Sequence, residues 1–128
     1  MKTITIKLLN HSHYIFFIIF TIIGFFIYKD YGFNIDETFT RKSGFYWLIY
    51  LSDFFGLNEL SKIASEKIKT SDDFTTPWSD TYGIIFDVPA ALIEIFLSIN
   101  EPLKIYQMRH LLTFFYFLVG TIFFYKIL

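Results

Sequence analysis

Apolar residues crowd the two ends of this chain, and all twelve acidic residues lie between those ends. From Leu8 to Tyr28 no residue carries a formal charge, with Lys7 and Lys29 at the borders. A second uncharged run extends from His110 to Tyr125, with Arg109 before it and Lys126 after. As a helix rising about 1.5 Å per residue, the first run reaches about 32 Å, enough for a hydrocarbon core. The second matches that length when Lys126 snorkels and Ile127 and Leu128 are counted. The pattern predicts transmembrane helices over 8–28 and 110–128, a short N-terminal segment (1–7) and an intervening loop over 29–109.

Within the loop, residues 29–40 show no sustained period and read as an irregular stretch leaving the membrane surface. Arg41 to Phe55 is rich in aromatic and aliphatic residues, and Lys42, Tyr46, Tyr50 and Asp53 recur at helical spacing. Gly56 marks a stop, so a helix is predicted near 41–56. It is too short to span and carries charge at both ends, which suits a helix lying in the interface. Asn58 caps a second helix over 59–69, with Leu60, Ile63, Ala64 and Ile68 on its apolar side. Residues 70–80 carry turn chemistry. A third helix is predicted over 88–99, with Pro89 in its first turn and Asp87, Glu94, Ser98 and Glu101 as a narrow polar stripe. Glu94 at its centre argues against a further span, because a carboxylate there costs several kcal/mol. Asn100-Glu101-Pro102 ends it. The expected fold is thus an all-α membrane protein: two transmembrane helices joined by a long external loop with two or three short amphipathic juxtamembrane helices.

Composition agrees with that pattern. The chain is 54% hydrophobic and 18% charged, with a mean hydropathy of +0.46, outside the usual range of a soluble domain. Eighteen Phe and nine Tyr suit a bilayer and its interfaces. The net charge of −1 offers no basic field to nucleic acid. Absence of cysteine excludes disulfides and thiolate metal sites. No small-residue cleavage site follows the first apolar run, which therefore reads as an uncleaved anchor. Lys2 and Lys7 then hold the N-terminus in the cytoplasm, with Lys126 on the same side. The loop, with eight bases against twelve acids, is external or periplasmic, as in a bacterial inner-membrane protein.

Three places in the loop carry candidate chemistry. Asp36-Glu37 lies close to the membrane surface, where a carboxylate can act as general base toward a hydroxyl acceptor. The same pair can merely solvate the loop or open a helix at its positive end. Asp80-Thr-Tyr-Gly-Ile-Ile-Phe-Asp87 sets two carboxylates around Tyr82 and Gly83, an arrangement that can close around a sugar or a divalent cation, or simply lead into a helix. Arg109-His110 opens the second span with a planar donor fork suited to phosphate, or marks a snorkelling boundary. His11 and His13 have no partners at metal-ligand spacing, and no cofactor fingerprint is present.

Taken together, the pieces resemble the N-terminal end of polytopic membrane glycosyltransferases of the GT-C type, the protein O-mannosyltransferases and lipid A aminoarabinose transferases with their bacterial relatives. The resemblance rests on the order of first span, Asp36-Glu37, amphipathic segments and second span. Two local stretches add to it: Asp80 to Asp87, and Met108-Arg-His-Leu-Leu-Thr-Phe114. It implies transfer of a sugar from a polyprenyl-phosphate carrier to a protein, lipid or glycan. Asp36, with Glu37 beside it, would be the catalytic acid position, and Asp80, Asp87, Arg109 and His110 would fall in a donor or acceptor pocket. The family's remaining spans have no counterpart here, so the chain is expected to be a fragment that transfers nothing alone. The alternative is a small two-span membrane protein with a structural or partner-binding role, its aromatic loop docking on another membrane subunit.

Overall fold

The structure is a computed structural model in which residues 12–69 and 84–128 are described. Those residues are all-α, and no strand occurs among them. They form α1 (Ser12–Ile27), α2 (Ile35–Phe54), α3 (Asn58–Lys69), α4 (Ile84–Phe96) and α5 (Pro102–Ile127). The described residues form two compact units: 12–31 with 107–128, and 32–69 with 84–106.

In the first unit, α1 and the later part of α5 run antiparallel. Phe25 meets Phe115, Phe20 meets Phe114 and Phe117, and Phe17 and His13 meet Tyr125, so one numbering falls as the other rises. Gly24 is buried where the Phe114 ring lies against the α1 backbone, in the space a Cβ would need. Most other side chains of α1 face outward although they are apolar, Phe26 at 77% exposure among them. One described helix, α5, is long and apolar enough to cross a membrane, and only 6% of its most apolar stretch is buried. The sixteen described residues of α1 are as apolar but correspond to about 24 Å, short of a core of about 30 Å. Residues 8–11 of the expected first span lie outside the described residues, so two full spans are not established.

The second unit differs from the loop the sequence suggested. Residues 35–40, read as irregular, are the first turns of α2. Asn34 takes the extended N-cap conformation, and Asp36 and Glu37 occupy the first turn, where carboxylates complement the helix dipole. Asn34-x-x-Glu37 has the spacing of a capping box, a start signal that outweighs the missing hydrophobic period. α2 ends in a Schellman turn: Gly56 has φ of +71° and the Leu57 amide donates to the Ser52 carbonyl at 2.7 Å. α3 and α4 both pack on α2, around Phe45, Leu48, Ala64 and Ala91, with Ile49, Leu60, Ile68, Val88 and Ile95 at the margin. Pro102 opens α5 instead of only closing the preceding helix, because its fixed φ and missing amide suit the first helical position. α5 therefore begins eight residues before the predicted 110.

The α2–α4 crossing is close because Gly44 has no side chain. A Cβ there would lie 2.5 Å from the Asp87 carbonyl oxygen and 2.8 Å from its carbon. At the far end of α4, Ser98 takes a left-handed φ of 51°, with the Ile99 amide bonded to the Glu94 carbonyl. Lys67 Nζ donates to the Ile99 carbonyl and to Asn100 Oδ1, both at 2.7 Å, and so ties α3 to this turn.

Two stability changes should follow. Gly44→Ala gains about 1 kcal/mol of helix propensity but forces two backbones apart at a cost of about 1–3 kcal/mol, so unfolding in detergent should move to lower denaturant. Ser98→Gly relieves left-handed strain and should add about 0.5–1 kcal/mol to the same transition. A higher midpoint for Gly44→Ala, or an unchanged one for Ser98→Gly, would contradict the geometry given.

Candidate functional site

The acidic pair sits where the chain joins the second unit. Asp36 is exposed in the first turn of α2, and Glu37, one position on, is half-buried. The cap behind them is long, with the Asp36 amide 3.4 Å from Asn34 Oδ1. A second support comes from the opening of α5. Tyr106 meets the Phe33 ring edge-on at 4.5 Å between centroids, and its hydroxyl lies 3.4 Å from that of Thr38. Beside this turn a cavity of about 120 Å³ is lined by Phe33, Ile35, Thr38, Phe39 and Lys42. Drug-sized ligand pockets run to roughly 300–1,000 Å³, so a sugar phosphate does not fit there.

The remaining expected site residues are dispersed. Asp87 is 5% exposed in the first turn of α4, with its backbone against Gly44. Gly44 lies seven residues after Glu37, which is about 10 Å along α2, so Asp87 and the acidic pair do not share one turn. Asp80 lies outside the described residues, as do Tyr82 and Gly83. Arg109 and His110 belong to the other unit; Arg109 is buried, and the half-buried His110 ring stands edge-on to Tyr31 at 5.8 Å. Among the described residues no set of three His, Asp or Glu side chains could hold a metal ion, and Asp87 alone represents the carboxylate pair considered for a divalent cation.

One polar feature escaped the sequence reading. Arg41 Nε donates to Glu94 Oε2 at 2.9 Å and its Nη2 to Oε1 at 2.6 Å, a two-bond fork between α2 and α4. Glu94 is 1% exposed, and the guanidinium also lies 5.2 Å from the Phe45 ring centroid. Lys42 and Asp87 are also buried on the same two helices. The signal was available: a carboxylate in the middle of an apolar helix requires a buried cation, and Arg41 and Lys42 are the only bases in α2. With both oxygens of Glu94 engaged by Arg41, the fork holds two helices in register and leaves no carboxylate for proton transfer.

Removing either member of the fork leaves a buried charge, so Arg41→Met or Glu94→Leu alone should cost about 3–5 kcal/mol. The double variant should recover most of that loss in detergent unfolding, because neither charge remains. Additive losses would show that the two residues are not coupled.

No family model, no curated protein and no solved structure matches the chain.

Proposed function

We propose that this is an integral membrane protein in which α1 and α5 form a bilayer-embedded hairpin. The helices between them carry the acid/base end of a carrier-dependent glycosyl transfer site on the outer face. The observation that carries the reading is Asp36, exposed at the positive end of α2 seven residues beyond the turn that closes α1. A carboxylate so placed can accept a proton from a hydroxyl acceptor while a lipid-linked donor reaches up from the bilayer. Asp36 is the proposed general base, with Glu37 its neighbour in the first turn.

Support for the bilayer comes from three threonines as well as from apolar surface. Thr21, Thr113 and Thr121 each donate their hydroxyl to the carbonyl four residues earlier, at 2.7, 3.0 and 2.8 Å. Hydroxyls satisfied within their own helix need no water, as lipid requires. In the second unit Tyr46, Tyr50 and Phe54 follow one another at helical spacing along α2 and remain exposed. That ridge suits the headgroup region, where aromatic rings concentrate.

Donor enclosure is the part these helices do not provide. The cavity beside Asp36 is too small, and a base without positioned substrates contributes little. On this reading further protein would supply the donor walls, and the chain by itself is expected to transfer nothing. The exposed ridge also favours a second reading, a two-span membrane protein whose aromatic face docks on a membrane subunit without chemistry of its own.

Asp36→Asn separates the two. In native membranes, transfer from a polyprenyl-phosphate sugar should fall by about 100-fold or more while donor KM changes little. Full retention of transfer would remove Asp36 from the mechanism. Because the chain has no cysteine, single cysteines at Asp36 and Ser98 report topology directly. An impermeant thiol reagent should label both from outside, and labelling from the cytoplasm would sink the orientation.

A further inference from the structure

The acidic turn is fastened by a residue that lies 68 positions away in sequence. α2 has two ends to secure, and they are secured differently. Its C-terminal end closes on itself through Gly56 and the short bond from Leu57 to Ser52. At its N-terminal end the Asn34 side chain adds only a long cap bond, 3.4 Å from the Asp36 amide, beside the 3.1 Å bond from the Glu37 amide to the Asn34 carbonyl. Helix starts fray within their first turn, and this one contains Asp36 and Glu37.

Tyr106 opposes that fraying from two sides. Its ring meets Phe33, the residue immediately before the cap, in an edge-to-face contact at 4.5 Å. Its hydroxyl faces Thr38, the residue immediately after Glu37. The acidic pair is thereby bracketed, by the ring contact on one side and a longer, weaker hydroxyl contact on the other. Ile105, next to Tyr106, is 5% exposed and fixes the start of α5 within the same unit.

From this bracket we infer that Tyr106 is a positioning residue of the Asp36-Glu37 turn: it touches neither carboxylate but steadies the backbone that carries them. The inference rests on the reading of Asp36 as the general base for its functional meaning, and on Phe33, Thr38 and Tyr106 alone for its physical content. Loss of the ring frees the turn, and loss of the hydroxyl alone frees it less, since an edge-to-face aromatic contact is stronger than a hydrogen bond at 3.4 Å.

Amide hydrogen exchange on the full chain in detergent micelles tests this. Tyr106→Ala should speed exchange at the amides of Asp36 to Phe39 by about tenfold and leave Phe45 to Leu51 unchanged, the size expected from one aromatic pair and a weak hydrogen bond. Tyr106→Phe should speed the same amides by no more than about threefold. Phe33→Ala should resemble Tyr106→Ala, and combining the two should add little, because they remove one contact. Equal acceleration along all of α2, or none in its first turn, would overturn the proposal. If exchange behaves as stated while Asp36→Asn leaves sugar transfer intact, the bracket stands and the catalytic reading falls. If Asp36→Asn abolishes transfer and exchange is unmoved, the reverse holds.

Discussion

A guanidinium and a carboxylate withdrawn from water must satisfy each other, and the second unit is arranged around one such pair. Arg41 and Glu94 meet through two parallel hydrogen bonds, a geometry that tolerates little rotation or sliding of α4 on α2. With the fork fixed, Gly44 comes opposite Asp87, the one place on α2 where a missing side chain lets the backbones approach. Phe45 and Leu48 then face Ala91 and Ala64, whose small side chains leave room for them. A buried ion pair is not a large source of stability against an apolar alternative. Its effect is to penalise every other register, since any slip would strand two charges in the core.

How much of this could be read from sequence depended on whether the signal was local. The two apolar ends, the stop at Gly56 and the helix after Asn58 all follow from nearby residues. The start of α2 was also local, in Asn34 and Glu37, but it was masked by the lack of hydrophobic alternation over 29–40. Pro102 was ambiguous by nature, since the same residue stops one helix and begins another. The pairing of Arg41 with Glu94 was not local at all. Sequence reading took Glu94 as part of a polar stripe, and only the packing of α4 on α2 showed that it meets Arg41.

For the candidate site the balance was less favourable. Sequence singled out Asp36 and Glu37, and the structure puts both in the first turn of α2, with Asp36 exposed and Glu37 half-buried. It did not foresee that Asp87 would be spent in helix packing, or that Tyr106 would reach back to the acidic turn. The bilayer proposal rests on the terminal helices: their outward faces are apolar, their threonines are satisfied internally, and α5 is long and apolar enough to cross a membrane.

The contacts of the second unit also set an order of assembly. The α2–α3 hairpin needs only a three-residue connection and can form as soon as Lys69 has been made. Docking of α4 closes a loop of 53 residues between Arg41 and Glu94, and the Thr38–Tyr106 contact closes one of 68. Loop closure grows costlier with length, though slowly, and synthesis proceeds from the N-terminus. The acidic turn is therefore the first part of the unit to be made and the last to be fastened. Until the opening of α5 arrives, the chain carries its candidate base on a frayed helix end, and a chain stopped short of Tyr106 would never fix it in place.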